Sequence, residues 1–109
     1  MDRVTICRME AAYELIRRAI EERRQVEALF AGRPRRFCPH AIGTRTGERR
    51  ALVFQFEGHS SRGLPPGGDW RCLAIDRLTE VALRDGPWHS REHSQPQRCI
   101  AEVDLSIVP

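Results

Sequence analysis

Beyond about residue 24 the sequence never sustains a helical period. It breaks instead into short runs in which apolar and polar residues alternate, each closed by Gly or Pro. One helix followed by five or six short strands with tight turns leaves few architectures open. Strands at this spacing predict a small antiparallel barrel of the Sm-like or Src-homology-3-like kind, or a sandwich. A barrel closes its own edges, and a single N-terminal helix can cap its open end. With 109 residues the chain has material for one modest core and one domain.

The helix is predicted over about 10–24. Ala12, Ile16, Ala19, Ile20 and Arg23 form one stripe, Tyr13 lies beside it, and Glu14 and Arg18 stand four apart in the favourable order. The barrel strands are expected over about 25–84. Gln25 to Phe30 alternates and runs into a turn at Ala31-Gly32-Arg33-Pro34. Arg36 to Ile42 is extended, and Gly43 to Glu48 reads as a hairpin turn with Gly at both ends of its first five residues. Ala51 to Phe56 is the most apolar strand, with Val53 and Gln55 opposite Leu52, Phe54 and Phe56. Gly58 to Gly68 is a long Gly/Ser/Pro loop, of a length that is often functional or disordered. Trp70 to Ile75 is a strand, Asp76-Arg77 a turn, and Leu78 to Leu83 extended or briefly helical. Trp88 to Gln97 is polar and irregular, and a final strand is expected within 98–108.

The formal net charge is +3, and every basic residue is Arg, since Lys is absent. Between Arg33 and Arg50 six Arg face the single acid Glu48. Arg forks bind phosphate and carboxylate bidentately, so this excess would attract a phosphate-bearing ligand. The same charges equally suit the solvated face of a hairpin. No secretory signal and no run of about 20 apolar residues is present, which predicts a cytoplasmic protein without a membrane role. Its four Cys (Cys7, Cys38, Cys72 and Cys99) are then expected to be reduced, and Cys72 reads as a buried structural thiol within an alternating strand.

Catalytic chemistry finds little support. Ser60 and Ser61 follow His59 but form no nucleophile elbow. Glu21-Glu22 belong to the helix's solvated side, and the Gly spacings match no phosphate loop. Cys38, His40, His89, His93 and Cys99 are the available zinc ligands, yet no Cys-x2-Cys knuckle accompanies them. The expectation is a protein that is not an enzyme, with no metal and no cofactor. Aromatic residues make up only 6% of the chain, too few for a strong base-stacking platform, and Tyr13 and Trp88 look the freest of them.

The succession of a helix, Phe30-Ala31-Gly32, Arg36, Pro39-His40-Ala41-Ile42-Gly43, Leu52-Val53-Phe54-Gln55-Phe56 and Trp70-Arg71-Cys72-Leu73-Ala74-Ile75-Asp76-Arg77-Leu78 resembles the WYL domain family. The likeness covers roughly Ala11 to Leu83. Its most specific parts are Arg-x-x-Pro-His and the late Arg-to-Leu segment. The eponymous Trp-Tyr-Leu triplet is replaced by Arg50-Ala51-Leu52. Barely a dozen residues precede the helix, too few for the winged helix-turn-helix of longer members, so the likeness is to a short stand-alone form.

The resemblance implies a regulatory, ligand-sensing barrel that takes a nucleotide-like molecule or single-stranded nucleic acid on one basic face. Carried over residue by residue, the binding candidates are Arg36, His40, Gln55, Arg71 and Arg77, with Arg36 and Arg71 capturing phosphate from a common groove. Each has a plainer reading: Arg77 pinning a turn, His40 bonding a backbone carbonyl. The alternative class is a protein–protein interaction module or homodimer whose Arg are only solvated surface.

Overall fold

The structure, a computed structural model, describes residues 3–58, 63–92 and 97–107, and side chains from Glu10 onward. It is mainly β, with one N-terminal helix and an antiparallel sheet of six strands. The helix α1 spans Arg3–Glu22. Strands follow at Gln25–Phe30 (β1), Arg33–Arg45 (β2), Glu48–Gly58 (β3), Asp69–Ala74 (β4), Leu78–Arg84 (β5) and Glu102–Ser106 (β6). A 3-10 turn, Ile75–Arg77, joins β4 to β5.

The apolar stripe read from the sequence is the buried face of α1: Ile16, Ala19 and Ile20 have no exposed surface. The helix stops because Arg23 takes a left-handed conformation, φ 55°. The Arg24 amide then reaches back to Ala19 O at 2.9 Å, and the Arg23 guanidinium caps Ile20 O at 2.6 Å. This satisfies carbonyls the helix end would leave open.

Two tight hairpins set the register. Ala31-Gly32 and Thr46-Gly47 both have positive φ at both central residues, the geometry that matches the twist of paired strands. The turns are shorter than the sequence suggested. Arg33 and Pro34 already belong to β2, as does Gly43.

The strand order is β4-β3-β2-β1-β5. Among the described residues no ladder joins β4 to β5, so the sheet is open. β3 lies along one edge of the long β2. The other edge is shared: β1 pairs with 33–37 of β2, and β6 with 41–44. The last strand is therefore shorter than expected and sits end to end with β1.

Each face of the sheet carries a core. On the inner face Val26, Phe37, Ile42, Ala51, Val53 and Leu73 pack against α1. On the outer face Ala41, Leu52, Cys99 and Ile100 pack with Trp70. The outer core exists because residues after β5 fold back across the sheet. We call 85–101 the strap, of which 85–92 and 97–101 are described. Near its start the Gln25 amide donates to Pro87 O at 2.7 Å, and further on the His89 amide meets Cys38 Sγ at 3.3 Å.

The strap overturns the expectation of four reduced thiols. Cys72 and Cys99 form a disulfide, with Cα atoms 5.5 Å apart across 27 residues of chain. Cys72 is exposed rather than buried. The strand pattern located Cys72 but could not reveal that the strap delivers Cys99 beside it. A disulfide is at odds with the reduced state that was expected to follow from a cytoplasmic location. Cys38 stays a free, buried thiol, and burial pushes its pKa up to about 11. Among the described residues no helix is long and apolar enough to cross a membrane.

Candidate functional site

Strand register divides the five sequence candidates between the two faces. Arg71 pairs with Val53, which is wholly buried in the inner core, so Arg71 stands on the inner face. Gln55 pairs with Phe37 and is also inward and fully buried. Arg36 pairs with Glu27 and Glu57 and points outward. Arg36 and Arg71 therefore share no groove.

Arg36 is part of a charge row running across β5, β1, β2 and β3. Arg84 Nε meets Glu27 at 2.8 Å, Arg36 reaches Glu27 at 3.6 Å and Glu57 at 3.4 Å. The guanidinium of Arg84 holds the Glu27 carboxyl below its ordinary range. Both neighbours of Arg36 are acids, so it is already neutralised. Arg77 is exposed at the end of the 3-10 turn, where its carbonyl accepts from the Ala31 amide at 3.1 Å. It lines a depression with Phe30, Arg50 and Asp76, away from Gln55 and Arg71.

His40 fills a structural place. The β2–β3 register shifts between Pro39 and Ala41, which makes His40 the bulge residue and turns its ring under the strap. It is 4% exposed. Nδ1 lies 2.8 Å from Cys38 O and Nε2 2.9 Å from Ser90 Oγ. A carbonyl only accepts, so Nδ1 carries the proton and Nε2 accepts from the serine hydroxyl. Trp70 and Trp88 close over the ring at 4.7 and 4.9 Å. Burial pushes its pKa below the ordinary value. Trp88 anchors the strap here, and Tyr13 is buried and bonds Asp104, so neither aromatic is free for stacking.

What gathers around Gln55 and Arg71 is a residue the sequence reading passed over. Arg35 alternates with Arg36 and takes the inner position opposite Ala28. It is 9% exposed. Its Nη1 donates to Gln55 Oε1 at 3.1 Å, and its guanidinium lies over the Phe30 ring, 4.7 Å from the centroid. Its Nε is buried with no hydrogen-bond partner among the described residues. Burial, then the like charge of Arg71, lowers its pKa. Among the described residues it forms no ion pair with a carboxylate.

Arg71 completes the group from β4. It donates to Asp69 at 3.1 Å, to Trp70 O at 2.9 Å and to Gly63 O at 3.1 Å. The loop 58–68 contributes no Asp or Glu to the chain. Gly58 lies hard against Arg35, where a Cβ would stand 2.6 Å from the Arg35 Cα. The sequence signal for Arg35 was its parity with Phe37, but a single Arg among six does not show which parity is inward.

Of the zinc candidates, Cys38 and His40 stand next but one on β2, and His93 lies outside the described residues, as do His59, Ser60 and Ser61. Among the described residues no three His, Cys, Asp or Glu side chains are grouped to hold a metal. No family model, curated protein or solved structure matches this chain.

Proposed function

We propose that this chain is a non-enzymatic regulatory domain that senses a phosphate-bearing ligand, a nucleotide-like molecule or single-stranded nucleic acid, through Arg35, Gln55 and Arg71. The observation that carries the reading is Arg35: a guanidinium nine-tenths buried, beside a second guanidinium, held by a neutral amide and an aromatic ring. Burying a cation without a carboxylate is costly, and an arriving anion would compensate it. An Arg fork matches phosphate geometry bidentately. Guanidiniums stay protonated at working pH, so the group holds charge and does not shuttle protons, which suits binding rather than turnover.

The reading keeps the WYL-like barrel. Its support is the order of helix, four strands, 3-10 turn and fifth strand, in which the turn brings the two ends of the strand order β4-β3-β2-β1-β5 toward each other. The test is a titration by calorimetry with a mononucleotide, a dinucleotide and a short single-stranded RNA, at low and physiological salt. Binding that weakens with salt and disappears in Arg35→Met is the expected result. Equal affinity in wild type and Arg35→Met for every anion tried would overturn it.

A second reading, an interaction module or homodimer, is favoured by the outer edges of β4 and β5, which pair with no strand among the described residues. Light scattering after size exclusion separates the two: a monomer that binds anions leaves only the first.

A further inference from the structure

We infer that the Cys72–Cys99 bond is a redox latch whose reduction releases the middle of the strap from the outer face while the rest of the fold stays closed. The strap is fixed at both ends by non-covalent means. At its start Gln25 holds Pro87, and beyond its end β6 pairs with β2 at four positions from Ala41 to Thr44. Between these ends the disulfide is the one covalent tie among the described residues, and it joins the strap to β4, at an end of the strand order.

The two sulfurs stand in different surroundings. Cys99 is buried in the outer core with Ala41, Leu52 and Ile100. Cys72 is exposed and lines a depression of about 420 Å³ together with Arg50, whose Nη1 is 4.0 Å from Cys72 Sγ. A dithiol reductant reaches Cys72 first. Its thiolate attacks Cys72 Sγ, forming a mixed disulfide and expelling the Cys99 thiolate. The second thiol of the reductant then closes the reductant's own disulfide and releases Cys72 as a thiolate beside Arg50. Two electrons pass to the protein, and both sulfurs end as thiols once protonated.

Release has a defined consequence because of what the strap covers. Phe54 is 2% and Leu52 4% exposed. Phe54 lies under the Arg91 guanidinium, and Phe56 is stacked on His89 at 4.1 Å. Freed from the latch, 86–92 and 97–101 would uncover apolar side chains on β3 and β4. The inner core shares none of these contacts: α1 packs on the other face.

Hydrogen exchange read by mass spectrometry on the oxidised protein, the dithiothreitol-reduced protein and Cys72→Ser tests this, with thiol counts under denaturing conditions verifying each state. The expected result is exchange over 86–92 and 97–101 accelerated about tenfold or more on reduction, with 12–22 and 26–28 unchanged. Cys72→Ser should match the reduced protein without any reductant. Unchanged strap exchange after verified reduction would overturn the inference. So would an equal acceleration everywhere, or four free thiols in protein prepared under oxidising conditions.

Discussion

Arg35 donates to Gln55 Oε1 at 3.1 Å inside the sheet, a cation facing an amide where an ion pair would ordinarily be found. Replacing both partners by apolar groups of similar length removes a buried charge and its acceptor together, and such swaps cost little. Arg35→Met combined with Gln55→Met is expected to change unfolding free energy by no more than about 1 kcal/mol, while anion binding is lost. Urea denaturation and calorimetry on the same preparation check it. A stability loss of several kcal/mol would make the pair a structural element.

Arg36 should behave in the opposite way. Its partners are the half-buried Glu27 and the exposed Glu57, and ion pairs this open to solvent contribute about 0–1 kcal/mol. Arg36→Ala is expected to leave ligand affinity unchanged and to lower stability by no more than that. A tenfold loss of affinity would return Arg36 to the site.

His40 links the strap to pH. Burial holds its folded pKa below the ordinary 6.5, so the unfolded chain takes up the proton first. Its contribution to stability is complete above about pH 6.5 and is lost as pH falls through the lower folded value. Thermal unfolding from about pH 8 to pH 5 is expected to show a decline below pH 6.5 that is shallower in His40→Gln. Parallel profiles would detach His40 from the effect.

The latch carries a stability as well as a switch. For a bridge across 27 residues, the chain-entropy estimate is roughly 3–4 kcal/mol. Cys99→Ser is expected to lose about that much in denaturant unfolding under oxidising conditions and nothing further on adding dithiothreitol.

Gly43 tests the other anchor. A Cβ there would stand 2.0 Å from Glu102 O and 2.6 Å from Ile100 Cγ2, so the backbone of β6 must move. Gly43→Ala is expected to cost about 1–3 kcal/mol and to remove exchange protection from 102–106 first.

Much of the architecture was legible in residues. The stripe Ala12, Ile16, Ala19 and Ile20 gave the helix face, and the alternation of Val53 and Gln55 against Leu52 and Phe54 gave the two faces of β3. The site was less legible because alternation alone does not say which parity of an Arg-rich strand faces inward. Arg35 and Arg36 alternate regularly with Phe37, whereas the register change between Pro39 and Ala41 takes His40 out of that alternation. Bulges arise from pairing with a distant strand, so β2 alone does not announce them. The disulfide was hidden for the same reason. Cys72 and Cys99 meet only because the strap crosses a face that the alternation of β3 and β4 leaves apolar.

β2 is also the strand on which the order of assembly turns. Its hairpins with β1 and β3 close through two-residue turns, events of microseconds. Its pairing with β6 joins Ala41 to Ser106, and a contact so distant along the chain pays its loop entropy before any reward arrives. The inner core carries a comparable cost, since β1 pairs Gln25 with Arg84, so neither core closes on the hairpins alone. Until the strap docks, β3 and β4 present Leu52, Phe54 and Trp70 to whatever else is in solution. Early folding is where this chain is most exposed to aggregation, and a mutation that slows strap docking would first appear as poor yield rather than as lost binding.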